Sequence, residues 1–286
     1  MRKAIVIAFI FLVATVWVFP RNVAFKLTGG LAWINGDDYN RGIAGENTFI
    51  RDTTVTMSGA YKTLKSGMNF QLEILTYLGA DMGIGFGGGY YRLAHESRVT
   101  SSGLQAGVPF NSESTYKPYV SVIPFFVNLH YMKRLASHLN IDIFAGPLFQ
   151  IAQFSFENPS KTSLLSMDQT VTFTASSTSL GFQGGFGLNY EISAAIALIA
   201  EGCYRYGKIS DLQGNWAAIG SSASGPINNS SSEYYFWLYD YTLGGTYTRI
   251  GFFDNSGPAG NSVTGARKAA LDLSGLTVSA GIKFSF

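Results

Sequence analysis

Apolar and polar residues alternate with period two in eight stretches of the chain, the pattern of β-strands with one greasy and one polar face. The clearest is the C-terminus, where Leu276, Val278, Ala280, Ile282, Phe284 and Phe286 alternate with Gly275, Thr277, Ser279, Gly281, Lys283 and Ser285. One face is wholly apolar and ends in rings. The other holds glycines, hydroxyls and a lysine, too small and polar for a hydrophobic core. The same alternation runs through 24–33, 69–74, 82–90, 123–131, 141–150, 180–189 and 196–206. Short connections near 78–81, 136–138 and 192–194 alternate with long Ser-, Asn-, Gly- and Thr-rich ones at roughly 35–66, 94–118, 157–170 and 208–268. Tight turns on one side and long loops on the other predict an all-β fold, a closed antiparallel transmembrane β-barrel of eight strands. An open strand edge in lipid leaves unpaired backbone groups, so the strand at 275–286 should pair with the one at 23–34.

Composition agrees with a chain that faces lipid. Charged residues are only 13% of the 286 positions, against about 25% in soluble domains. Lys and Arg number 20 against 18 Asp and Glu, which leaves no basic surface for nucleic acid, and the single Cys203 rules out a disulfide scaffold. Met1-Arg2-Lys3 followed by the apolar run 4–19 reads as a secretory signal, so residues 1–24 are assigned to an export peptide and 25–286 to the barrel. Rings fall where interfacial girdles need them: Tyr77, Tyr131 and Tyr190 toward the turns, with Trp33, Tyr90, Tyr204 and Tyr206 toward the loops.

Four segments carry a family resemblance: Gln71-Leu72-Glu73 leading to Tyr77, the glycine-rich run 83–90, Val122-Ile123-Pro124-Phe125-Phe126-Val127-Asn128-Leu129, and the ending Gly281-Ile282-Lys283-Phe284-Ser285-Phe286. Together they resemble the small bacterial outer-membrane β-barrels of the OmpA, OmpX and OmpW kind. The resemblance implies an outer-membrane location, outer-membrane lipid as surroundings, and a terminal signal for the barrel-assembly machinery at Phe284 and Phe286. The connection at 208–268 is much longer than is usual in that family.

The inward face should collect Lys26, Arg205 and Lys283 against Glu73, Asp142 and Glu201, with Gln71, Asn128, Gln150 and Gln183 between them. Opposite charges in a low-dielectric lumen are expected to pair and plug it. Rearrangement of those pairs is the alternative, giving a narrow channel for small solutes; the resemblance to the OmpW kind implies apolar ones. The inward glycines at 83, 85, 87, 181, 185 and 187 leave room for long side chains opposite. Gly83-x-Gly85-x-x-Gly88 matches a dinucleotide fingerprint only formally, since it lies within one alternating strand with no helix after it. His95-Glu96-Ser97 offers hydrolase residue types, but adjacent strand residues point to opposite faces. The three histidines are scattered, so neither catalysis, a metal nor a cofactor is expected.

Residues 233–253 read as an aromatic hairpin turning near Gly244-Gly245. Three expectations attach to it. It extends the strands above the membrane; or Tyr234, Tyr235, Phe236, Trp237, Tyr239 and Tyr241 present a surface for an extracellular partner; or it inserts and makes the barrel ten-stranded. The functional expectation is a structural or adhesive outer-membrane protein with a plugged lumen.

Overall fold

The computed structural model describes residues 23–286 except 54–55, 106–107 and 164–165. The predicted export signal lies outside these residues but for its last two, which open the first strand. In chain order the elements are β1 (Val23–Trp33), α1 (Asp37–Thr53), β2 (Thr56–Ser58), β3 (Ser66–Tyr77), β4 (Met82–Ala94), β5 (Ser97–Gln105), β6 (Val108–Ala136), β7 (Leu139–Thr162) and β8 (Met167–Glu191). They continue as β9 (Ile196–Tyr206), β10 (Lys208–Ile209), β11 (Gln213–Ser222), β12 (Gly225–Thr242), β13 (Thr246–Phe253), β14 (Val263–Lys268), β15 (Leu271–Asp272) and β16 (Gly275–Ser285).

Eight of these strands form a hydrogen-bonded antiparallel ring in the order β1, β3, β4, β6, β7, β8, β9, β16. The ring returns to β1, with Ala24 opposite Ser285 and Ala32 opposite Thr277. These strands contain the eight alternating stretches of the sequence. The outward face is a continuous apolar belt, with Leu27, Phe70, Leu72, Phe125, Leu129, Phe186, Leu198 and Ile282 all exposed. A water-soluble protein does not leave that much contiguous apolar surface uncovered.

Strands β6, β7 and β8 run for 29, 24 and 25 residues. A tilted strand crosses the hydrocarbon layer in about 9–11 residues, so each of the three rises well above the membrane on the loop side. There β8 exchanges neighbours: residues 182–191 pair with β9, whereas 168–175 pair with β11. Beyond β11 come β12, then β13 and β14, and on the other side β5 pairs with β6 and β2 with β5. The long connections expected as loops are therefore mostly strand. The aromatic hairpin is β12–β13, turning through 243–245 with Gly244 at φ +67. It extends the wall above the membrane and does not enter the ring.

The curled upper sheet wraps α1, which replaces a predicted loop. Gly36 supplies the carbonyl for the first helical bond, to the Asn40 N–H, and Asp37 and Asp38 complement the positive end of the helix. Asp38, Tyr39, Gly42 and Ile43 make its buried face. Close approach to β13 depends on Gly45: a Cβ there would lie 1.7 Å from the Thr248 carbonyl oxygen. Asn40 and Asn47 pin the strap that follows the helix. Each side chain donates to a backbone carbonyl, of Leu64 and Tyr61 respectively, and accepts from the N–H of the same residue.

Candidate functional site

The lumen has two stacked fillings. At membrane level it is ionic. Lys26 on β1 lies 2.7 Å from Glu73 Oε2 and 2.6 Å from Glu201 Oε1. The other oxygen of Glu73 accepts from Asn128 Nδ2 at 2.9 Å and faces His130 Nε2 at 2.9 Å. His130 Nδ1 in turn sits 3.0 Å from both oxygens of Asp142, and its ring stacks on Phe144. Gln183 Nε2 donates to Asn128 Oδ1 at 3.0 Å. The result is a continuous chain of contacts from Glu201 through Lys26, Glu73 and His130 to Asp142, drawn from β9, β1, β3, β6 and β7. Gly85 makes the space, since a Cβ there would fall 2.1 Å from Glu73 Oε1.

Nine of the ten predicted lumen residues are buried, and Gln71 is half-buried, donating to Asn69 Oδ1. The expectation that all three cations pair with carboxylates fails. Among the described residues Lys26 has carboxylate partners and Arg205 and Lys283 have none within ion-pair distance; Arg205 lies 3.9 Å from the centroid of the Tyr91 ring, and Lys283 lines a cleft with Tyr77 and Glu191 at the turn end. Asp142 is taken instead by His130, a residue of the polar face to which the sequence pattern assigns no role. Gln150 accepts from the Ser179 hydroxyl. Toward the turns, Ala24, Leu75, Met132 and Tyr77 close the lumen. Tyr77 is thus not a girdle residue: it shares the phase of Glu73 and Leu75 and turns inward. Trp33, Tyr90, Tyr131, Tyr190, Tyr204 and Tyr206 are exposed on the outer face. Phe284 and Phe286 are also exposed, the latter edge-on to Phe25 at 5.7 Å.

Above the ionic layer the filling is aromatic. Tyr39 of α1 meets Phe154 and Phe236, with ring centroids 5.9 and 6.4 Å away. Phe154 meets Phe236 at 5.4 Å, and Phe173 stacks on Phe252 at 4.2 Å. Ile43, Leu64, Leu93, Val120, Leu212 and Leu271 complete this core. The rings expected to form a surface site are largely covered. Phe236 and Tyr239 are buried and Tyr234, Tyr235, Trp237 and Tyr241 half-buried or nearly so, because the hairpin turns its rings onto α1, the rest of the sheet and its own neighbours.

Polar clamps hold the helix over the lumen. Arg249 forks onto Glu46 at 2.7 and 2.9 Å while lying over the Phe49 ring. Tyr247 donates to Asp52 at 3.0 Å. Asp38, fully buried, takes both guanidinium nitrogens of Arg267 and the Ala270 N–H. Burial alone would raise the Asp38 carboxyl; the Arg267 fork and the Ala270 N–H outweigh it and hold the group below the usual carboxylate range.

The hydrolase-type residues are not joined: Ser97 is buried and its Oγ accepts from the Lys62 N–H, while His95 Nε2 has no partner among the described residues. Among those residues, too, no group of three or more His, Cys, Asp and Glu is arranged to hold a metal ion.

No family model and no curated protein matches the chain. Among solved structures it is similar to a major outer membrane protein from Thermus thermophilus, at 14% identity over 92% of this chain and 99% of that one, with a TM-score of 0.36. It is similar also to OprG from Pseudomonas aeruginosa, at 10% identity over 93% and 97%, TM-score 0.34. The outer membrane protease OmpT from Escherichia coli gives 8% identity over 93% and 97%, TM-score 0.35. The assignment is carried by the chain's own architecture. A ring of eight antiparallel strands, greasy outside and polar within, is a transmembrane β-barrel.

Proposed function

We propose that this barrel does not conduct, and that its role is structural and adhesive, carried by the body that β5–β8 and β11–β14 build outside the membrane. One observation carries the reading: two unlike seals lie in series, an ionic chain across the membrane-level lumen and an aromatic core around α1 above it. A solute would have to break buried ion pairs and then displace a packed helix. The extended strands favour a surface role too, since a pore gains nothing from strands more than twice the length the membrane requires.

The test is single-channel recording in planar bilayers. The protein should stay silent at ordinary voltages, and reproducible open steps would instead support the narrow channel for small solutes. For the adhesive part, cells displaying the protein should attach to surfaces more than cells lacking it, with the gain lost after protease shaving of the outer body. Equal attachment with and without the protein would remove that part and leave the plug standing.

A further inference from the structure

Above the aromatic core the upper sheet carries an open trough that runs along β11. Residues directly opposite one another in a sheet share a face. The register places Val171, Ala218 and Asn229 in one row across β8, β11 and β12, and Gln169, Gly220 and Ile227 in the next. One row lower, Trp216 stands opposite Phe173, which is buried in the core, so this is the inner face of the curled sheet. Ala218 and Gly220 give a low floor between the taller side chains of β8 and β12. Those two strands are two spacings apart, about 9.5 Å. Trp216, half-buried and stacked on Tyr234 at 5.1 Å, closes the lower end, and the turn after Ser222 closes the upper one. The space is about 700 Å³, the size of a small-molecule site.

The lining is mixed and uncharged. Among the described residues no Asp, Glu, Lys, Arg or His borders the trough. Asp168, the next residue along β8, belongs to the opposite face and pairs there with Lys161 at 2.9 Å. An ionic ligand therefore finds no counter-charge. The side-chain amides of Gln169 and Asn229, one on each wall, have no hydrogen-bond partner among the described residues. Each offers two donors and an acceptor, a set that neighbouring hydroxyls, donor and acceptor at once, can satisfy. Trp216 adds an apolar ring beside them. A peptide strand has no edge to extend here, because β11 is paired on both sides.

We propose that the trough binds an uncharged saccharide, with a sugar ring laid against Trp216 and its hydroxyls bonded to the amides of Gln169 and Asn229. The assignment rests on the adhesive reading for its purpose and names the surface chemistry that such a role would grip, a neutral glycan. The long strands place the site suitably: Gln169 lies thirteen residues beyond Phe182, where β8 last pairs with β9, roughly 40 Å along the strand.

The experiment probes the full chain, in a detergent without a sugar head group, with an array of neutral hexose and N-acetylhexosamine oligosaccharides beside sulfated and sialylated ones. Titration calorimetry then gives Kd for the members that bind. A neutral member should bind, and Trp216→Ala should weaken it at least about tenfold, with Gln169→Ala weakening it too. No binding, binding of charged members alone, or binding unchanged in both variants overturns the site. Should Trp216→Ala fail to fold, Gln169→Ala and Asn229→Ala decide in its place. Cell attachment separates this site from the adhesive reading. If cells displaying the native protein and Gln169→Ala attach equally well, adhesion stands and the saccharide site is overturned. If Gln169→Ala abolishes attachment but stripping glycans from the target surface does not, the occupant is a protein and the saccharide is again overturned. Neutral-sugar binding without any attachment supports the site and removes the adhesive role.

Discussion

Strand β7 passes through both halves of the molecule without changing phase, and its two halves are chemically opposite. In the membrane its outward residues are Ile143 and Phe149, while Asp142 and Gln150 are buried. Further along, the outward residues are Gln153 and Glu157, while Phe154 and Phe156 are buried. Every even-numbered residue from 142 to 156 is buried. The pleat fixes which side chains point inward; the surroundings decide what they must be. Lipid outside favours apolar residues there and forces the polar ones to satisfy one another within, whereas water outside restores the ordinary arrangement.

The two halves should therefore fail differently. The largest effect is expected at the ionic layer, where Lys26→Met leaves Glu73 and Glu201 buried without their shared cation. Breaking one partner of such a pair costs about 3–5 kcal/mol, read as a fall in the denaturant midpoint of the refolded barrel. Adding Glu73→Gln and Glu201→Gln should recover part of the loss, because the cost lies in the stranded charges. Next in size is one substitution placed on the two outer faces. Leu72→Arg puts a charge against hydrocarbon and should cost about 2–4 kcal/mol, whereas Gln153→Arg, outward but in water, should stay within about 0.5 kcal/mol. Equal costs at the two positions would mean that the outer face at 153 has the same surroundings as the belt.

The same contrast explains what the sequence makes legible. The eight ring strands and the pairing of the last with the first follow from alternation, which a lipid-facing sheet must keep. Alternation reports the face but not the height, so it gives no sign that Arg205 and Lys283 stand away from the carboxylates. Only the register, with His130 opposite Phe144 and Asp142 opposite Met132, brings His130 between Glu73 and Asp142. For the aromatic hairpin the outward sense of the membrane strands is the wrong guide, because above the membrane that sense inverts. Helix α1 gives little pattern to read: its buried face is one acid, one tyrosine, one glycine and one isoleucine. It is held by a close approach at Gly45 and by the Asn40 and Asn47 clamps, contacts that exist only once the sheet has curled around it.

The smallest effect is the one that separates the halves most cleanly. Asp38 belongs wholly to the upper half, and its carboxyl is held below its ordinary value by Arg267 and the Ala270 N–H. A depressed acid stabilises the fold only while it is charged. Its contribution is therefore complete above an ordinary aspartate value of about pH 4 and is lost as the pH falls through the lower value it has in the fold. Asp38→Asn removes a charge-assisted contact worth about 1.5–3 kcal/mol at neutral pH. Protease cleavage within 37–53 should accelerate in this variant at pH 7, and in the native protein only as the pH drops below about 4. The ring has no share in that contact, so boiled and unboiled protein, expected to migrate differently on a gel if the ring is intact, should still do so after both changes. Loss of the unboiled form in step with helix cleavage would show that the aromatic seal supports the ring, and that the two halves unfold as one.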